Sequence, residues 1–324
     1  MTPSRRQLLR LAGGSLTLPF VSLAKAEGWP ARPIHTVVPI QAGTGVDIIS
    51  RLVLNELSTL LNQPIVIENR PGASGTIGAA VVAKAPPDGY TLLADSASHT
   101  IVPTLFTHLP YDPASDFAPV AALGSNPLVL VVGASSDFKA IGDLVSAAKA
   151  RPGALTYASG GIGTTSHLAP ERFRLSAGFE AVHVPFRGAA FSSEVMSGRI
   201  DFAFSPVGSV IELIRDERLR PLAVASRERS QILPNVPTTL EAGYPNSDYA
   251  FWVGLFAPSK TPNLVVEQLN HLAIKVMSNP NLLSSFAKIG AEPMPMTAPE
   301  FGTLINTEIS ANAALAKSIG LSAT

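Results

Sequence analysis

In each half of the chain an apolar, strand-like run ends in a glycine-rich loop that leads straight into a helical stretch. The first loop is Val37-Val38-Pro39-Ile40-Gln41-Ala42-Gly43-Thr44-Gly45-Val46-Asp47. The second is Ser159-Gly160-Gly161-Ile162-Gly163-Thr164-Thr165-Ser166-His167. A helix start leaves backbone N–H groups free and carries a partial positive charge, so it attracts anions. Glycine lets backbone approach a ligand closely. Strand–loop–helix units of this kind build α/β folds whose ligand loops sit at the strand C-termini. One such loop in each half suggests a two-jawed receptor for a small carboxylate.

The rest of the chain supports two α/β domains. The strand and helix pattern from Ile34 to Ala94 is β-α-β-α-β, which predicts a mostly parallel sheet. It restarts at Leu128, with helices over Ile141–Ala150 and Thr165–Ala177 and strands near Leu155, Ala181, Phe202 and Leu219. After the irregular stretch around Pro234, Pro237 and Gly243-Tyr244-Pro245 come a strand at Phe251–Ala257 and helices from Pro262, Asn281 and Pro299. The simplest assembly has the chain cross between lobes near Ser125–Pro127 and return near Tyr249–Trp252. Domain 1 is then 27–126 with 251–324, and domain 2 is 127–250. A cleft between two hinged lobes is a favoured place for a small ligand.

Composition narrows the chemistry. A chain with 46% hydrophobic and 15% charged residues is globular rather than disordered. It has no cysteine, which excludes disulfides, Cys-ligated zinc, iron–sulfur clusters and a lipoprotein anchor. Residues 1–26 read as a signal peptide. Ser4-Arg5-Arg6-Gln7-Leu8-Leu9-Arg10 is basic, Leu11 to Leu23 is moderately apolar, and Ala24-Lys25-Ala26 is a small-x-small cleavage site. The twin arginine favours the twin-arginine route, with general secretion as the alternative. That segment holds four bases (Arg5, Arg6, Arg10, Lys25) and no acid, so the rest of a formally neutral chain is acidic. No basic stripe remains for nucleic acid. No later apolar run is long enough to span a membrane, so a soluble mature protein is expected, as a monomer.

Neither glycine loop fits nucleotide chemistry. Gly43-Thr44-Gly45 lacks the third glycine of a dinucleotide fingerprint, and Gly160 to Ser166 lacks the lysine of a phosphate loop. Capping a helix needs one hydroxyl. Thr164, Thr165 and Ser166 supply three, so at least one is read as an anion contact. Asp47 fits two roles: holding its loop through backbone N–H groups, or meeting a ligand amine or hydroxyl. Ser74 lies outside any G-x-S-x-G elbow, so a nucleophile is not expected there. Ser96, Ser98 and His99 follow the third strand at the same sheet edge and are candidate donors. Arg187 is a possible anion helper or a surface arginine. The histidines show no metalloprotease spacing, no carboxylate pair stands out, and no metal or cofactor is expected.

Many segments in order resemble the Bug family, the extracytoplasmic solute-binding receptors of the tripartite tricarboxylate transporter class. They include Trp29-Pro30-x-Arg32-Pro33-Ile34, the first loop, Glu68-Asn69-Arg70-Pro71-Gly72-Ala73-Ser74-Gly75 and Pro87-Asp88-Gly89-Tyr90-Thr91-Leu92-Leu93. Leu109-Pro110-Tyr111-Asp112-Pro113, Gly161-x-Gly163-Thr164 with His167-Leu168-Ala169, Val184-Pro185-Phe186-Arg187-Gly188 and Leu233-Pro234-Asn235-Val236-Pro237-Thr238 complete the set. The resemblance implies a two-lobed, periplasmic-binding-protein-like (type II) α/β fold with a two-segment hinge. It implies a receptor that closes over a carboxylate and hands it to membrane transporter subunits. Carried over, ligand contacts fall at Ile40, Gly43, Thr44, Gly45 and Asp47, with Ser74, Ser96, Ser98 and His99 lining the same pocket. Gly163, Thr164, Thr165 and Ser166 come from the other lobe.

This chain departs from the family pattern at several points. Ile40 stands where an aromatic is usual, Thr44 where a glycine is, and Val102-Pro103 where Asn-Pro is. Ser205-Pro206 replaces Asp-Asn after the Asp201–Phe204 strand. Losing that acid removes a partner for a ligand amine, and Ser205 joins the candidate contacts. A carboxylate without an amino group, dicarboxylic or aromatic, is therefore favoured. The rival readings are an exported α/β hydrolase or isomerase and a receptor that feeds a signalling system.

Overall fold

The computed structural model describes residues 28–186, 191–249 and 251–321. The signal-peptide reading and Arg187 lie outside them.

The first lobe opens with β1 (Ile34–Val38), α1 (Gly45–Leu61), β2 (Ile65–Asn69), a short 3-10 turn (Ala73–Gly75), α2 (Thr76–Ala83) and β3 (Thr91–Ser96). It continues through α3 (Ser98–Leu105) and β4 (Phe117–Ser125). The second lobe contains β5 (Leu128–Gly133), α4 (Ile141–Ala150), β6 (Thr156–Ser159), α5 (Thr165–Ala177), β7 (Val182–Pro185), α6 (Phe191–Met196), β8 (Phe202–Pro206), α7 (Val207–Arg215) and β9 (Leu219–Val224). The chain then returns as β10 (Trp252–Pro258), followed by α8 (Asn263–Val276), α9 (Pro280–Lys288) and α10 (Ala298–Ser318).

The two five-stranded sheets share one plan, β2-β1-β3-β10-β4 and β7-β6-β8-β5-β9. In each, four strands run the same way and one, β10 or β5, runs against both its neighbours. Strand direction is thus mostly parallel, as expected, with one reversed strand in each sheet. The strand beside the third parallel strand is β10 in one sheet and β5 in the other, and each arrives from the opposite lobe. Having crossed the hinge, it enters its sheet from the far end and must run against its neighbour.

Both sheets are covered on both faces, which is why the inner strands β5 and β10 are buried along their whole length. Leu54, Leu57, Leu269 and Phe286 pack on one face of the first sheet, and Val82, Phe301 and Ile305 on the other. In the second sheet Leu168 and Phe173 lie on one side, and Val195 and Val210 on the other.

The crossings are close together. Ser125 pairs with Trp252 in register, and the Asn126 N–H donates to the Phe251 carbonyl at 2.9 Å. Two helices of the first lobe also reach the second, for Ile101 of α3 and Leu315 of α10 join the second lobe's core.

Candidate functional site

α1 and α5 begin where β1 and β6 stop, so their N-termini stand at the C-terminal edges of the two sheets. The loops that start them have one internal geometry. Gly43 and Gly163 take φ of 80° and 77°, a left-handed conformation that favours glycine. Thr44 and Thr164 follow in extended backbone as N-caps, with φ/ψ of −75°/162° and −73°/160°. Each threonine hydroxyl donates backwards, Thr44 to Gln41 O at 2.9 Å and Thr164 to Gly161 O at 2.7 Å. Each glycine N–H is taken by the side chain four residues on, Gly43 by Asp47 Oδ2 at 2.9 Å and Gly163 by His167 Nδ1 at 3.1 Å.

This internal bonding leaves other amides free. Among the described residues no acceptor takes the N–H of Gly45 or Val46 at the start of α1, or of Thr165 or Ser166 at the start of α5. These are the free donors of a helix start, each at the positive end of a helix dipole.

Asp47 is 2% exposed and its two oxygens are occupied. Arg51 Nε bonds both at 3.0 Å, Asn69 Nδ2 bonds Oδ1 at 2.8 Å and Gly43 N–H bonds Oδ2. Burial pushes this carboxyl up. The bonds from Arg51, Gly43 and Asn69, with the Arg51 charge, outweigh it and hold the pKa below the ordinary value. Asp47 thus holds its loop, the first of the two roles read for it from the sequence. Asn69 completes the brace by donating to Ile40 O at 3.1 Å. The side chain of Ile40 packs against the first lobe's core.

The second loop is braced by stacked rings. His167 lies on His183 with centroids 4.1 Å apart, and His183 on Tyr157 at 4.9 Å. His183 Nε2 pairs with Ser159 Oγ at 2.7 Å, and Ser159 Oγ accepts from Gly161 N–H at 3.1 Å. Tyr157 OH bonds Glu171, which Arg174 also engages at 2.7 Å. Burial lowers both histidine pKa values. His183, further lowered by His167, falls to about 4, while Glu171 opposes the shift at both rings. Neutral His167 is the form whose Nδ1 accepts from Gly163.

Of the three hydroxyls in a row, none caps α5. Thr164 bonds Gly161, Ser166 accepts Gly160 N–H at 2.9 Å, and Thr165 holds no hydrogen bond to protein. The second loop comes close to the first lobe. A side chain at Gly163 would meet Leu105 of α3 at 3.0 Å.

Ser74 is exposed and left-handed, at φ 55°. It follows left-handed Ala73, in a turn whose Gly75 packs on Pro39. Ser96 and Ser98 bond each other at 2.7 Å at the start of α3. His99 is corrected outright. It is 1% exposed, stacked on Phe256 at 4.6 Å and edge-on to Phe117, with Nε2 on the Pro113 carbonyl. It belongs to the aromatic core behind the sheet edge. Ser205, at the end of β8, is 1% exposed and its hydroxyl has no partner.

Asn69, His183, Leu105 and Asn126 were missed as site residues. Asn69 had a signal, its place at the end of β2 just before the Arg70-Pro71-Gly72 turn. The others depend on contacts across the fold. Among the described residues no group of three or more His, Asp or Glu could hold a metal ion, and no helix is long and apolar enough to cross a membrane.

Residues 49–321 match the tripartite tricarboxylate transporter family receptor. A Pseudomonas sp. (strain P51) protein encoded between tcbD and tcbE is 38% identical over 288 residues, covering 88% of this chain and 86% of its own. BugT of Bordetella pertussis is 33% identical over 298 residues, 91% of each chain. Among solved structures, Rhodopseudomonas palustris Rpa4515 with adipate is 33% identical, with TM-score 0.76 over 91% of this chain and 100% of that one. MatC from Rhodopseudomonas palustris, with bound malate, is 30% identical, with TM-score 0.72 over 88% and 99%. This chain belongs to the Bug family, the solute-binding receptors of tripartite tricarboxylate transporters, and its two-lobed fold is theirs.

Proposed function

We propose that this receptor captures a small organic carboxylate between its two glycine loops and delivers it to the membrane subunits of a tripartite transporter. The observation that carries the reading is the matched pair of loops. Each is stiffened by its own side chains, and each leaves two helix-start amides unbonded. A carboxylate has two oxygens and can take donors from both lobes, which ties binding to closure. Adipate in Rpa4515 and malate in MatC support the class.

The lobes are 27–126 with 251–324, and 127–250. Residues 1–26 direct export to the periplasm through the twin-arginine route, and the mature receptor is a monomer. Ile40, Gly43, Thr44, Gly45, Gly163, Thr164, Thr165 and Ser166 line the carboxylate end, with Ser74, Ser96, Ser98 and Ser205 around it. Serine at position 205 leaves no acid there for an amine, so the ligand is a dicarboxylic or aromatic acid without an amino group.

A thermal-shift panel of organic acids tests this, because a ligand that binds only the native state stabilises it by mass action. At least one dicarboxylate or aromatic carboxylate should raise Tm at millimolar concentration. A panel in which no carboxylate does so would remove the carboxylate reading.

A further inference from the structure

Asn126 stands on the outbound crossing between β4 and β5. Its backbone is clamped to the return crossing through Phe251 O at 2.9 Å. Its side chain is 7% exposed. The carboxamide nitrogen lies 3.9 Å from where a Cβ on Gly45 would stand, directly over the start of α1. The carboxamide oxygen is buried and has no hydrogen-bond partner. Among the described residues the other buried side-chain atoms without partners are Trp29 Nε1, Thr36 Oγ1, His99 Nδ1, Ser205 Oγ and Thr261 Oγ1. Of this set, Asn126 stands beside the start of α1.

A buried carbonyl without a donor is costly, and the cost is relieved when a donor arrives. Here Gly45, whose N–H is unbonded, lies beside the carboxamide. A ligand carboxylate on Gly45 and Val46 N–H would bring its own neighbouring atoms to the Asn126 carboxamide. The nitrogen is a donor that tolerates the carboxylate, and the oxygen is an acceptor that needs a donor.

We propose that Asn126 is a specificity-determining residue that reads a hydroxyl or amide N–H on the carbon next to the ligand's carboxylate. This rests on the carboxylate reading given above. A site built to bond a donor rejects the analogue that lacks it, because the acceptor is then left buried and unpaired.

The test is calorimetric binding of acid pairs that differ by one hydroxyl: malate and succinate, 2-hydroxyadipate and adipate, mandelate and phenylacetate. The wild-type protein should prefer the hydroxy acid of at least one pair by about tenfold, the worth of one good hydrogen bond. Asn126→Ala should bring that pair to within about twofold, mainly by weakening the hydroxy acid. Asn126→Asp keeps the shape and the acceptor but sets a negative charge beside the α1 start. It should weaken both acids about tenfold while keeping the preference.

A preference that survives Asn126→Ala, its absence in the wild type, or full affinity of Asn126→Asp for both acids would overturn the proposal while leaving the carboxylate reading intact. Failure of the wild type to bind any of the acids would count against the carboxylate reading, and this inference would fall with it.

Discussion

Asp47 and His167 do the same work in opposite lobes: each accepts the N–H of the left-handed glycine four residues before it, at 2.9 Å and 3.1 Å. One is a charged carboxylate and the other a neutral imidazole, yet each fixes a Gly-Thr turn and leaves the next helix-start amides free. The geometry of both loops is set by these two buried side chains.

Replacing Asp47 by Ala separates holding from contact. The variant loses the bonds from Gly43, Arg51 and Asn69, and stability should fall by about 2 kcal/mol, as for buried charged hydrogen bonds. Carboxylate affinity should fall about tenfold because the loop loosens. If Asp47 instead faced the ligand, removing its charge would raise affinity. Urea unfolding and titration calorimetry read both effects.

Thr164 and Thr165 should behave differently. Thr165 has no hydrogen bond to protein, whereas Thr164 bonds Gly161 O at 2.7 Å. Thr165→Val should leave Tm unchanged and weaken carboxylate binding roughly tenfold, the loss of one bond to a charged group. Thr164→Val should lower Tm as well. Equal affinity for wild type and Thr165→Val would take that hydroxyl out of the site.

Acid should loosen the second loop. The folded-state pKa of His183 is about 4, below its ordinary 6.5, and that of His167 is shifted the same way. A depressed pKa means the unfolded chain binds more protons. The stability held by these neutral rings is therefore complete above pH 6.5 and is lost as pH falls toward 4. Carboxylate affinity should fall over the same window, since protonated His167 cannot accept from Gly163. His183→Gln should flatten its part of the stability profile in urea titrations.

Glu308 works in the opposite direction. Burial, opposed by bonds from Trp252 and Thr100 and by the Arg172 charge, raises its pKa to about 7. A raised pKa contributes stability that is complete below the unfolded value, 4.5, and is lost as pH rises through 7. Glu308→Gln should gain on the order of 2 kcal/mol relative to wild type between acidic pH and pH 8. A flat difference between the two proteins across that range would contradict the shift.

Much of the fold was legible in the residues. The helices over Ile141–Ala150 and Thr165–Ala177 have the expected limits because turn residues and apolar spacing agree there. β4 was not foreseen. Its sequence FAPVAALGS has small residues and a proline in place of strand-like branching, and Gly124 is small because Phe286 lies within 2.9 Å of its Cβ position. α3 was hidden by Pro103, and α7 by Pro206 and Gly208 at its start. The two glycine loops and the helix starts they feed were legible because glycine and hydroxyl chemistry is local. His99 misled because small polar neighbours suggested a loop, while its ring is claimed by Phe117 and Phe256 from distant strands. Asn126 carried no sequence signal, since an unpaired oxygen exists only once the hinge is folded.

The most direct test is an amide-resolved NMR titration of the intact mature protein with a carboxylate that raises its Tm. The account expects the amide signals of Gly45, Val46, Thr165 and Ser166 to move together and saturate at one equivalent, with those of Gly43 and Gly163 moving less because their protons are already bonded. Saturating shifts confined to another surface, or to one lobe alone, would contradict capture between the two loops.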